Sequence, residues 1–142
     1  SRFTAGEIGH IPYRDKTLEG YIGNKVLVTR ASKIFHKKGI RIEDVHVLAK
    51  KGNAQAKRFW REVGEHLGYC LAGAVNLLNP QLIIIGGGVS NNYSLFLPAL
   101  IRTIRTKSVP VAGRSVKLLR AKLGDDAGIL GAYYLVKETF GR

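Results

Sequence analysis

The sequence predicts an α/β fold, a sheet with helices packed on it, and three observations carry that expectation. Between residues 54 and 78 apolar side chains recur every three or four positions, the period of one helix face. The run Leu82-Ile83-Ile84-Ile85 follows at once, short, continuous and β-branched, and it ends in three glycines. A second apolar stretch, Val116 to Ala121, is followed by another helical pattern. Helix, strand, Gly-rich turn, helix, strand, helix is the alternation that places helices against a sheet, with ligands gathered at the carboxyl ends of the strands.

Residues 1–24 are Gly-rich and mixed, and read as a short strand, a loop and the start of a helix. A helix is expected over Asn24–Lys38, with Val26, Leu27, Ala31, Ile34 and Phe35 on one face and Gly39 as its stop. The stretch from Ile42 to Ala49 fits either a short helix or a turn. The long helix runs from Ala54 to Leu78, with Asn53 as its N-cap. Asn79-Pro80 ends it, because a residue before proline avoids the α region. Leu82–Ile85 reads as a strand buried on both faces. A helix over Tyr93–Thr106 carries Pro98 in its first turns, which argues for a start a few residues later. Val116–Ala121 reads as a strand, and Gly124-Asp125-Asp126 as a turn with Asp126 capping a last helix over Ala127–Thr139. That helix carries Ala127, Gly128, Gly131 and Ala132 where another backbone is expected to come close.

The 142 residues suit one domain. A chain of this size buries roughly 68–70% of the surface it exposes when unfolded. It contains no methionine and no signal-peptide layout, so the start at Ser1 reads as a cut or processed end of something longer. The single cysteine, Cys70, excludes an internal disulfide and sits in an apolar helical pattern, as a small core residue does. A cytoplasmic origin fits that usage. No apolar run approaches the roughly 20 residues needed to span a bilayer as a helix. The net charge of +13 attracts polyanions, yet the lysines and arginines are scattered along the chain. A solvated basic surface accounts for them. A nucleic-acid module calls instead for cations clustered on one face with interleaved aromatics.

Three motifs carry chemistry. Gly86-Gly87-Gly88, directly after a strand, removes every Cβ there, so a base or phosphate can approach the bare main chain and its N–H groups. The same glycines also fit a tight strand-to-helix turn with no ligand, and the run lacks the lysine of a Walker loop and the spacing of a dinucleotide fingerprint. Gly6-Glu7-Ile8-Gly9-His10 places a carboxylate and an imidazole three residues apart, a polar pair that can serve sugar hydroxyls or simply stabilise a loop. The segment from Leu123 to Ala132 reads chiefly as a capped, closely packed helix.

In this order the pieces resemble the ROK (repressor, open reading frame, kinase) family of sugar kinases. Ala5-Gly6-Glu7-Ile8-Gly9-His10 is similar to that family's sugar-binding Glu-x-Gly-His segment. Leu77-Leu78-Asn79-Pro80 with Gln81 to Ser90 resembles its "Asn-x-x-Asn-Pro, strand, Gly-Gly-Gly-Val" passage, and Gly124 to Ala132 its closing helix. The resemblance covers nearly the whole chain. It implies an actin-like, ribonuclease H-like ATPase lobe, the C-terminal lobe of a two-lobed kinase for a hexose or amino-hexose. It implies sugar contacts from Glu7 and His10, and from Glu19 through the match of Leu18-Glu19 to the family's Cys-Leu-Glu. It implies a nucleotide pocket lined by Gly86, Gly87 and Gly88, with ATP and Mg²⁺ as cofactors and a homodimer as the assembly. The family's Asp-x-Gly-Gly-Thr loop and general-base aspartate belong to an N-terminal lobe that this sequence lacks, so no catalytic residue is assigned. The family's zinc loop is built from cysteines. Here Ile11-Pro12-Tyr13-Arg14-Asp15-Lys16-Thr17 fills the gap, so no zinc is expected, and His10 and Glu19 must be oriented by packing. Some family members are repressors with a helix-turn-helix ahead of the sugar-sensing lobes, and nothing in these 142 residues resembles a recognition helix.

Overall fold

A computed structural model describes residues 6–124 and 126–140. Residues 1–5 and Asp125, which fall in two of the motifs above, lie outside the described residues.

A long helix, α4 (Ala54–Leu78), is the spine of the molecule. Asn53 caps it, its side-chain oxygen accepting from the Ala56 N–H at 2.9 Å. At the other end Asn79 turns left-handed with φ 43°, just before Pro80. Its inward stripe buries Phe59, Trp60, Val63, Leu71 and Val75. Against it lie α2 (Asn24–Phe35), α3 (Ile42–Lys50) and α5 (Tyr93–Lys107), which add Leu27, Ala31, Val45, Phe96, Leu100 and Ile104 to one continuous core. Cys70 is buried among them as a free thiol, and that burial pushes its pKa up.

The helices α4 and α5 approach each other closely. A Cβ at Gly64 would sit 2.4 Å from the Phe96 carbonyl oxygen, and one at Gly68 would sit 2.6 Å from the Thr103 Cβ. Only glycine permits that approach, because real Cβ atoms do not come so near a neighbouring backbone.

Two strands pair in parallel: β3 (Leu82–Ile85) beside β4 (Lys117–Arg120), in register from Leu82 opposite Lys117 to Ile85 opposite Arg120. Parallel strands need a crossover. Here it is a 3₁₀ turn over Gly88–Asn92, then α5, then α6 (Pro110–Ser115). Ile83, Ile85 and Leu118 pack on the helical core, while Ile84 is 60% and Leu119 53% exposed on the opposite face. The strand expected to be buried on both faces is therefore half-buried on one face and open on the other.

Several boundaries differ from expectation for local reasons. The α2 helix stops at Phe35, short of Lys38, because His36 turns left-handed with φ 50°. The ambiguous stretch is a helix, its first turn closed by the Asp44 carboxylate accepting from the Arg41 N–H at 3.0 Å. The α5 helix starts at Tyr93 and runs through Pro98, which forgoes one backbone hydrogen bond without breaking it. The short helix α6 was not expected. Pro110 at its first position is a good helix starter, and Gly113 is where α6 presses on α5: a Cβ there would meet the Ile104 carbonyl at 3.2 Å. The last helix, α7 (Asp126–Phe140), includes Asp126 in its first turn rather than using it as a cap. A Cβ at Gly128 or Gly131 meets no described atom within 4 Å, so the close backbone expected there is absent among the described residues. Ile129, Tyr133, Tyr134 and Val136 are exposed along it. No helix among the described residues is long and apolar enough to cross a membrane.

Gly64→Ala is expected to destabilise the fold by about 1–3 kcal/mol through overpacking. Gly73→Ala, where a Cβ meets nothing within 4 Å, is expected to be neutral or to stabilise α4 by up to about 1 kcal/mol. Urea denaturation of the two variants measures both.

Candidate functional site

Two places in the structure hold the residues that the sequence singles out. The first is built on the segment that precedes α2. Glu7 leads into a 3₁₀ turn, Ile8–His10, whose tight winding stacks residues three apart. The Glu7 carboxylate accordingly meets His10 Nδ1 at 3.0 Å, with both side chains about two-thirds exposed (62% and 68%). The chain then forms a small hairpin, β1 (Pro12–Tyr13) with β2 (Lys16–Thr17), in which Arg14 takes a left-handed conformation with φ 57°. The Leu18 N–H closes back on the Ile11 carbonyl at 3.1 Å, and the Leu18 side chain is buried in the core. The next residue, Glu19, opens the short helix α1 (Glu19–Ile22) and returns beside the 3₁₀ turn, its Cβ 3.8 Å from where a Cβ at Gly9 would lie. The structure thus pairs Glu7 with His10 and sets the start of α1, with Glu19, beside the turn that carries them, on one exposed edge. An exposed Glu–His pair is worth little in water, so it can be exchanged for contacts to a hydroxylated ligand. Glu7 also rims an apolar groove of about 610 Å³, floored by Ile8, Tyr69, Gly73 and Leu77.

The hairpin is held to α4 by aromatic rings, residues the sequence reading did not single out. Tyr13 packs on Tyr21, His66 and Tyr69, and its hydroxyl lies 3.3 Å from His66 Nδ1. His66 and Tyr69 share a face of α4 three residues apart, the one sequence signal that points to them. Burial, then the nearby Arg14 and Arg30 guanidinium groups, hold the His66 pKa below its ordinary value of 6.5. Desolvation raises the Tyr13 pKa, and the hydrogen bond from the Tyr21 hydroxyl lowers that of Asp15. Among the described residues no group of three or more His, Cys, Asp or Glu side chains could hold a metal ion.

The second place is the end of β3. Gly86 lies over Ala121, with 3.5 Å between its added Cβ and that methyl group. Gly87 takes φ 72° and ψ −178°, a conformation open in practice to glycine alone. A Cβ at Gly87 or Gly88 meets nothing within 4 Å, so the main chain there is bare. The turn that follows is anchored: the Ser90 N–H donates to the Gly87 carbonyl at 2.9 Å, Ser90 and Asn92 are buried, and the Asn92 side-chain oxygen lies 2.9 Å from His46 Nδ1 on α3. Arg120, opposite Ile85 in the sheet register, ends β4 beside this loop and donates to the Asn91 side-chain oxygen at 2.7 Å. Its exposed guanidinium stands at the same strand ends as the glycines, suited to a phosphate. Sequence reasoning missed Arg120, because only the strand pairing places it there.

Residues 2–139 match the description of the ROK family. A solved ROK family glucokinase from Streptomyces griseus, in complex with glucose and AMPPNP, superimposes with a TM-score of 0.79 at 25% identity, covering 94% of this chain and 52% of that one. The DNA-binding transcriptional dual regulator NagC of Escherichia coli is 34% identical over 98 residues, 69% of this chain and 24% of its own length. A glucokinase from Halalkalibacterium halodurans is 32% identical over 96 residues, 68% of this chain and 29% of its own. The chain therefore spans between about a quarter and about half of these relatives. The fold is α/β and is shared with ROK sugar kinases, the actin-like ATPase architecture.

Gly87→Ala is expected to destabilise the chain by about 1–3 kcal/mol through backbone strain. Gly88→Ala, with open space and no positive φ, is expected to stay within about 0.5 kcal/mol of the parent. Thermal and urea unfolding compare the two directly.

Proposed function

Because the chain belongs to the ROK family, we propose that it supplies the nucleotide-binding lobe and part of the sugar site of an ATP-dependent hexose or amino-hexose kinase. One observation carries this reading above the rest. Gly87 and Gly88 leave bare main chain at the carboxyl end of β3, with the Arg120 guanidinium beside them, in the place where open α/β sheets bind ligands. In this reading Gly86, Gly87 and Gly88 line the nucleotide pocket and Arg120 meets a phosphate. Glu7, His10 and Glu19 accept from and donate to sugar hydroxyls. In this reading Mg²⁺ arrives with the nucleotide, held mainly by its phosphates. Phosphoryl transfer also needs a base on the attacking hydroxyl and charge stabilisation around the γ-phosphate. We assign neither to this chain, so in this reading it does not turn over by itself and acts with a second lobe, as a homodimer in the cytoplasm.

The similarity to NagC supports a second reading, a sugar-sensing lobe of a regulator that retains the hydroxyl-binding edge. A helix-turn-helix encoded upstream of Ser1 distinguishes the regulator from the kinase.

Heteronuclear NMR titration tests the binding roles. AMPPNP is expected to shift the amides of residues 86–92 and the Arg120 side chain, and glucose or N-acetylglucosamine those of residues 7–19. Gly88→Val is expected to weaken AMPPNP roughly tenfold, with unfolding unchanged, if a ligand takes the space that side chain would fill. No shift at residues 86–92 at millimolar nucleotide, with the second lobe present, would remove the basis of the kinase reading.

A further inference from the structure

Among the described residues the hairpin that links His10 to Glu19 pairs only with itself: β1 and β2 form a separate two-stranded sheet. A lone hairpin is marginal in water, so its position on the body of the molecule has to come from side chains. Leu18 supplies one anchor at its far end. The other is the ring cluster. Tyr13 meets Tyr21 edge-on at 5.3 Å, His66 edge-on at 5.6 Å and Tyr69 at 5.8 Å, while Tyr21 and His66 lie 4.7 Å apart. The Arg14 guanidinium caps Tyr13 at 5.2 Å and Tyr21 at 6.0 Å, and the Lys16 ammonium stands 5.8 Å from Tyr21. Three elements therefore converge on one imidazole: the hairpin through Tyr13, α1 through Tyr21, and α4, which bears His66 itself.

We propose that Tyr13 and His66 are positioning residues that lock the hairpin onto α4, fix the Glu7–His10–Glu19 edge in place, and release it when His66 takes up a proton. The assignment of that edge to sugar rests on the function proposed above; the lock itself does not.

The charges around His66 explain why its proton matters. From the hairpin it faces Arg14, from α2 Arg30, and the pocket beside it is also lined by Thr103, Thr106 and Lys107 of α5. From α4 it faces the Glu62 and Glu65 carboxylates, and both are engaged. Glu62 is bound by Arg30 and Arg58, and Glu65 by Arg102 at 2.9 Å with Arg61 at 3.8 Å. A proton on His66 therefore meets burial first and then the Arg14 and Arg30 guanidinium groups, which together outweigh the favourable Glu62 and Glu65 carboxylates, in a site that is 9% exposed. The closed lock favours neutral imidazole, its pKa lowered first by burial and then by Arg14 and Arg30. An opened hairpin returns His66 to water and to an ordinary pKa. The open form then binds more protons than the closed one as pH falls through 6.5, and opening becomes easier.

Amide hydrogen exchange of the chain, read residue by residue, tests the lock. Tyr13→Ala is expected to reduce protection of residues 11–22 roughly tenfold or more while Leu100 and Ile104 in α5 stay within about twofold. Tyr13→Phe, which removes only the hydroxyl, is expected to fall between. In the parent, hairpin protection relative to His66→Gln at the same pH is expected to drop between about pH 7.5 and about pH 5.5. Unchanged hairpin protection in Tyr13→Ala, an equal loss through α5, or a ratio flat with pH would overturn the proposal. Glucose titration of the same variants reads the positioning role. Several-fold weaker binding by Tyr13→Ala supports it, and undiminished affinity in a loosened hairpin refutes it. If the parent chain binds no sugar at all, the sugar assignment of this edge fails, and the exchange data still decide whether the lock exists.

Discussion

The contact on which the rest of the molecule depends is the glycine-to-backbone approach of α4 and α5. With no Cβ at Gly64 and Gly68, the second helix lies directly on the first, and Phe96, Leu100 and Ile104 reach into the same core as Phe59, Trp60 and Val63. Close packing at interior density leaves little room for either helix to slide. Both candidate sites inherit their geometry from that pair. The end of α4 leads through Asn79-Pro80 into β3 and so sets where the glycine loop emerges, while α5 begins at the turn that closes the loop. The ring cluster sits on the side of α4 where α5 supplies Thr103 and Lys107.

The two sites are built on opposite physical terms. The glycine loop is rigid at its edges and empty at its centre: Ser90 and Asn92 are buried and bonded, and Gly87 and Gly88 expose only main chain. Such a loop recognises by shape and backbone N–H groups, which need no side chain to be in a given rotamer. The Glu7–His10–Glu19 edge is the reverse. Its three polar side chains are exposed, and its order comes from neighbours behind it, Leu18 in the core and Tyr13 among the rings. An edge supported only from behind can be loosened without unfolding the lobe, which is the property a regulated site requires.

Much of the fold was legible because strong periodicity is local. Ala54–Leu78 declared itself by its 3.6-residue stripe and its Asn53 cap, and the structure returns those bounds. Leu82–Ile85 declared itself by β-branching between Pro80 and three glycines. What the sequence concealed was non-local. Gly113 carries no local sign that α5 presses against it, and Pro98, read as delaying the start of α5, is a residue the helix runs through. Arg120 gains meaning only from the register that sets it opposite Ile85, and Tyr13 and His66, 53 positions apart, only from the hairpin's fold onto α4. Glu7, His10 and the glycines form local patterns that the sequence displays; the side chains that support them do not, because no local pattern encodes a partner on another element.

The apolar surface left open follows from the same logic. Ile84 and Leu119 face outward from the sheet, Leu77 is 85% exposed at the end of α4, and α7 carries Ile129, Tyr133, Tyr134 and Val136 on open surface. A β-branched strand such as Leu82–Ile85 has the composition of one covered on both sides, yet here only the inner side is covered. Exposed apolar side chains that recur along a strand or helix face are what a partner surface covers. The two-lobed arrangement proposed above accounts for it in one step. A second lobe set against the outer sheet face would cover Ile84 and Leu119, and would bring charged groups toward the bare glycine loop from the side this chain leaves empty. On the proposed kinase reading, the exposed hydrophobic face and the phosphoryl-transfer groups not assigned to this chain are two consequences of one division of labour between lobes.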